Sequence, residues 1–110
     1  MKSYTDIEQS KKLAEILPIE GADMYWDYDV QKHEYYPMVM DEQFDDTCVR
    51  AWSLAALFKM LPYSARLERG SSTELCYVTL PNELESSDWY IEPVDAVFEM
   101  ILKLYKLKML

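Results

Sequence analysis

MYWDYDV, residues 24–30, decides between an all-helical chain and a mixed one. Met24, Trp26, Tyr28 and Val30 fall on one side of an extended chain; Tyr25, Asp27 and Asp29 fall on the other. Strict alternation of this kind is the mark of a strand with one face on a core and one in water. The reading predicts that Tyr25 shares the wet face with the two aspartates. Just downstream, HEYYPMVM (33–40) reads as a short second strand, with Pro37 confining it to a sheet edge or ending it. DEQFDD (41–46) then reads as an exposed loop.

Helices flank this β region. Towards the N-terminus, Thr5 and Glu8 have the spacing of a capping box, and Ile7, Leu13, Ala14 and Leu17 share one helical arc before Pro18 ends the run. On the other side, AWSLAALFKMLP (51–62) contains a short apolar helix. Ser53 is its natural N-cap, although a start at Asp46 or Thr47 also fits. Leu54, Leu57, Phe58 and Leu61, with two alanines, leave it little polar surface, so it is expected to be the most buried helix. ARLER (65–69) and ELCYVTL (74–80) flank GSST and read as a hairpin with a glycine-bearing turn; PNELESSD (81–88) is a polar loop and WYI (89–91) a further short strand.

EPVDAVFEMILKLYKLKML (92–110) closes the chain. Pro93 suits a first helical turn. Val94, Val97, Phe98, Ile101, Leu104 and Tyr105 make one stripe, acids lie early and lysines late, and Glu99 stands four residues before Lys103. The order of elements predicts a single α+β domain over 1–110: three helices packed on one face of a small, mainly antiparallel sheet of three to five strands.

Composition narrows the function. Twenty acids against eleven bases give a net charge of −9, which repels nucleic-acid phosphates, argues against direct DNA or RNA binding and leaves basic partners open. No basic amphipathic segment points to a membrane surface, no run is long enough to span one, and the N-terminus has no apolar stretch behind its lysine. Cys48 and Cys76 lack CxxC spacing and read as two core thiols in a reducing cytoplasm. A homodimer is compatible with the sequence, but no heptad run is long enough to argue for one.

Candidate chemistry is thin. Asp27, Asp29, His33 and Glu34 offer oxygens and an imidazole, yet an EF-hand started at Asp27 would need glycine where Lys32 stands and glutamate where Met38 stands. One histidine and two distant cysteines do not make a zinc set. Two glycines exclude a phosphate-binding loop. No cofactor, metal or catalytic residue is assigned.

What stands out is the belt from Glu20 to Asp46, with nine acids and one lysine interleaved with tyrosines. Exposed tyrosine beside carboxylate suits recognition of a basic protein surface, although charge on a sheet edge also serves simply to prevent strand pairing. The candidate protein-binding residues are Tyr25, Asp27, Asp29, Tyr36, Asp45 and Asp46. The leading expectation is a non-enzymatic, cytoplasmic, acidic protein acting through protein–protein contact. One alternative is a DNA-mimic inhibitor of a nucleic-acid-binding protein, which needs carboxylates spaced like phosphates. Another is a small enzyme built on His33, a cysteine and carboxylates.

Three stretches together, GADMYW, AWSLAALFKMLP and VDAVFEMILKLYKLKML, resemble a family of small uncharacterised proteins from gut bacteria and from their prophages or other mobile elements. The resemblance implies a bacterial cytoplasmic setting and a mobile-element origin, and it carries over no activity or site residue. Relatives have proline just before the Ala-Trp-Ser segment where this chain has Arg50.

Overall fold

The computed structural model describes residues 2–62, 65–70, 75–80 and 86–110. Its elements, in chain order, are α1 (Ile7–Ala14), a single 3₁₀ turn (Ile19–Gly21), β1 (Met24–Asp29), β2 (Glu34–Val39), β3 (Val49–Ala51), α2 (Leu54–Lys59), β4 (Arg66–Arg69), β5 (Cys76–Thr79) and α3 (Pro93–Lys106). All strand pairing is antiparallel, so the chain is α+β. The strands form two sheets, not one: β2-β1-β3 and β4-β5. Tyr90, within the expected strand 89–91, makes only an isolated bridge to Cys76. The turn between β4 and β5 and most of the loop 81–88 lie outside the described residues.

Local chemistry sets the helix boundaries. The α1 cap is Asp6, one residue later than the sequence pattern suggested. Its carboxylate accepts from the Gln9 backbone N–H at 2.8 Å, and the Gln9 side chain accepts from the Asp6 N–H at 3.1 Å. The Thr5 hydroxyl is employed elsewhere: it lies 2.7 Å from the Ser10 hydroxyl and accepts from the Trp52 N–H at 3.1 Å, tying α1 to the residue after β3. Ala14 is exposed, and α1 ends there, short of Pro18. Ser53 caps α2 as read, accepting from the Ala56 N–H at 3.2 Å. The residues upstream, where the helix had an alternative start, instead form β3, because Val49–Ala51 complete the sheet beside β1.

The core is one connected cluster running from Leu13 and Leu17 through Trp52 and Leu57 to Cys76, Val78 and α3. The most buried helix is α3, not α2. Val94, Ala96, Val97, Phe98, Met100, Ile101 and Leu104 are all buried on α3, whereas α2 is six residues long and buries only Ala56 and Leu57. Tyr105, at the edge of the α3 stripe, is half-exposed. Among the described residues, the fully buried Trp52 indole N–H has no acceptor.

In β1 the two faces do not divide as expected: Met24, Trp26, Asp27 and Asp29 are all half-buried. Tyr25 is 0% exposed, while Tyr28 and Val30 are 41% and 73% exposed. The strand leaves the core as it runs. At Tyr25 the supposedly wet face is roofed by the 41–46 loop, with the Phe44 ring edge-on at 5.4 Å. Beyond Asp27 neither face has a roof.

Candidate functional site

The six candidate residues gather around the β1–β2 hairpin and the turn that follows it. In the antiparallel register Tyr25 faces Met38, Asp27 faces Tyr36 and Asp29 faces Glu34. Directly opposed residues share a sheet face, so Tyr25, Asp27, Asp29, Glu34 and Tyr36 lie on one side. Arg50 of β3, opposite Tyr25, joins them. Its guanidinium sits 4.5 Å above the Phe44 ring, a cation–π contact that clamps the 41–46 loop over Tyr25.

Most of these aspartates have an internal use. Asp27 accepts from the Tyr36 hydroxyl at 3.0 Å, from the Tyr28 N–H at 2.8 Å and, at 3.7 Å, from the Cys48 thiol. Asp29 accepts from the Gln31 and Lys32 N–H groups, at 3.0 and 3.2 Å, and so closes the hairpin turn. His33 completes that turn with φ +54° and is exposed, its Nδ1 3.5 Å from the Tyr28 hydroxyl. Asp45 accepts from both the N–H and the hydroxyl of Thr47, which hold its carboxyl below the ordinary range. Asp41 accepts from the Tyr25 hydroxyl at 2.7 Å and from the Gln43 N–H at 3.0 Å. Asp23, outside the candidate set, accepts from the Ser53 N–H at 2.8 Å and anchors the α2 cap. Asp46 is exposed.

Aspartate accepts readily from backbone N–H groups two residues on, which is why it gathers at turns. Much of the acidic belt is therefore turn chemistry. The hydrogen bond to Asp41 raises the Tyr25 phenol above its ordinary range, and the bond to Asp27 does the same for Tyr36. Burial, followed by the nearby carboxylates, pushes the Cys48 thiol up, so the thiolate that nucleophilic or metal chemistry requires is disfavoured. Cys48 is half-buried against Asp27 and Asp45 rather than in the core; Cys76 is buried, its thiol donating to the Tyr90 carbonyl at 3.3 Å. His33 and the two thiols thus each have a partner, and none is partnered with another of the three. Among the described residues, no three His, Cys, Asp or Glu side chains are grouped so that they could hold a metal ion. Among the described residues, no helix is long and apolar enough to cross a membrane.

The opposite face of the hairpin drew less notice in the sequence. Tyr28 and Tyr35, directly opposed, pack at 5.0 Å between ring centroids. Further in, Trp26 donates its indole N–H to the Thr5 carbonyl at 3.0 Å and meets Tyr4 edge-on at 5.6 Å. Pro37 lies opposite Trp26, and Val39 opposite Met24 is 72% exposed. No residue of β2 is buried. The available signal was the aromatic pair itself, which the register i, j of a four-residue turn sets side by side.

The outer edge of β2 has its own arrangement. The Met40 N–H donates to the Asp23 carbonyl at 3.0 Å, and direction alternates along a strand, so Glu34, Tyr36 and Met38 point their backbone groups at β1. Tyr35, Pro37 and Val39 point theirs outward. Proline thus occupies a position whose N–H would otherwise face away from the sheet. On the other side of the sheet, the chain just past β3 is paired: the Thr5 N–H donates to the Trp52 carbonyl and the Leu54 N–H to the Ser3 carbonyl.

No protein-family model, curated protein or solved structure matches this chain.

Proposed function

We propose that the protein is a small, non-enzymatic, acidic binding protein that acts by docking another protein on its β1–β2 hairpin. One observation carries this reading: β2 buries nothing, yet together with β1 and the turn it presents Tyr28, Tyr35, Tyr36, Val30 and Val39 to solvent. A projecting hairpin needs few large apolar side chains to satisfy its own fold, and clustered exposed ones mark contact sites. Tyrosine supplies contact area with little loss of rotamer freedom. Asp27, Asp29 and Glu34 line the adjoining face and steer a basic partner while repelling nucleic acid. Asp45 and the buried Tyr25 are supports, through the loop they shape, rather than contacts, and Asp46 stands exposed beside them. The bacterial cytoplasmic setting and mobile-element origin are taken from the family resemblance.

DNA mimicry has weaker support. A second row of carboxylates would have to run along β2, and Tyr36 and Met38 occupy those positions. An enzyme has weaker support as well, given the separate placements of His33, Cys48 and Cys76.

The test is affinity capture from a lysate of the encoding bacterium at low and moderate salt. The bait is the full chain beside Tyr28→Ser/Tyr35→Ser and Glu34→Gln variants. A partner lost with the tyrosines, and loosened by salt and by Glu34→Gln, supports the reading. A partner retained by every variant would sink it.

A further inference from the structure

Among the described residues, the Trp52 indole N–H is the one buried side-chain donor without an acceptor. Trp52 is 0% exposed, so the bonds its N–H gave up to water are not replaced. Gly21, in the 3₁₀ turn, lies against it. A Cβ placed on Gly21 would stand 3.6 Å from Trp52 Nε1, 3.3 Å from Met60 Sδ and only 2.6 Å from Met60 Cε. The φ of Gly21 is not positive, so the backbone makes no demand for glycine here. Space does: any side chain at this position would push the Met60 methyl aside. The orphan N–H and the Met60 thioether thus share one notch, left by a missing side chain.

Met60 is also reachable from outside. It caps the C-terminal end of α2, is half-buried, and lines an apolar groove of about 400 Å³ with Leu17, Pro18 and Tyr105. A thioether sulfur is a weak acceptor, whereas a sulfoxide is polar and carries a good one. We propose that Met60 is an oxidation site whose sulfoxide oxygen accepts the Trp52 indole N–H. The oxidant is a peroxide. A sulfur lone pair attacks one peroxide oxygen, and the S–O bond forms as the O–O bond breaks. The departing hydroxide takes the proton of the transferred hydroxyl and leaves as water. The sulfide is oxidised by two electrons and the peroxide reduced by two. Methionine turns freely about its unbranched stem. The sulfoxide methyl therefore swings towards the groove, and the smaller oxygen takes its place beside Gly21 and the indole. Sulfoxides ordinarily disrupt the cores that hold them. This one supplies the acceptor that Trp52 lacks.

The experiment is graded hydrogen peroxide treatment of the full chain. Peptide mass mapping follows each methionine, and a proton–nitrogen correlation spectrum follows the three tryptophan indoles. Met109, 45% exposed, is the freely reacting reference and Met100, 0% exposed, the shielded one. Met60 is expected to oxidise well ahead of Met100. As it does, the Trp52 indole proton should move downfield and exchange more slowly with solvent. Two variants test the same contact without oxidant. Met60→Gln sets an amide oxygen where the sulfoxide oxygen would lie, and Met60→Leu keeps the site apolar. The glutamine variant should have the higher urea midpoint, the reverse of the order expected where a buried polar group finds no partner. A leucine variant at least as stable as the glutamine variant overturns the inference. So does a Trp52 indole resonance that stays in place as Met60 oxidises, or a Met60 that reacts no faster than Met100.

Discussion

The α3 helix and the β1–β2 hairpin are the two extremes of this molecule. Seven of the fourteen residues of α3 are buried, and β2 buries none of its six. The helix is held by exclusion of water from its apolar stripe, a force spread over many contacts. The hairpin is held by its ladder, by aspartates that close its turns, and by a few aromatic contacts. Packing therefore dictates the side chains of one element and leaves those of the other free for an outward task.

The comparison is easiest to break at its strong end. Leu104 is completely buried, so Leu104→Ala should cost about 2–5 kcal/mol of stability, read as a lowered urea midpoint. A cost as small as that of a hairpin substitution would mean that α3 is not the keystone its burial implies. Next comes Asp6→Ala, which removes both bonds of the α1 capping box and should cost about 1 kcal/mol in the same assay. Tyr28→Ser with Tyr35→Ser removes one cross-strand aromatic pair and should cost no more than about 1 kcal/mol while abolishing partner binding. Loss of folding there would turn the tyrosines into structural residues.

Titration sharpens the contrast further. A phenol with a raised folded-state pKa contributes stability that is whole below the ordinary phenol range and is lost as pH climbs through the raised value. Tyr25 and Tyr36 are both raised, by Asp41 and Asp27 respectively. In an ultraviolet absorbance titration, Tyr25→Phe should remove the latest phenol ionisation. At the acid end, Asp45 is held low by Thr47, so its contribution is present above the ordinary carboxylate range and fades as pH falls through the lowered value. Thr47→Val should move that acid limb of the unfolding curve to higher pH. An unmoved limb would show that the turn adds nothing.

What could be read from residues alone follows the same division. Helix α3 was legible from end to end because its apolar period, charge order and Pro93 agree. The cap at Ser53 was legible for the same reason. The strand at 24–29 was legible as a strand, but not its inner face. Alternation says that two faces differ without saying which loop will roof one of them, and it was Phe44 and Arg50, distant in sequence, that buried Tyr25. Three-residue β3 carries no periodic signal and exists because β1 offers an edge. The candidate site was legible only in part: its aspartates were read as a surface, and most of them turn out to be hydrogen-bonded braces. The exposed pair Tyr28 and Tyr35 emerged only once the register was known.

Pro37 has a consequence for the protein during its synthesis. The hairpin leaves the ribosome before β3, the β4–β5 ribbon and α3 have been made, so neighbouring nascent chains on one messenger hold identical uncovered hairpins close together for as long as translation lasts. Two such edges with full sets of outward amides could zip to each other. An imino acid midway along the strand leaves a missing rung at the point where such a zipper would have to close, so the chain can carry tyrosines and valines on an open edge and still be made on a crowded polysome.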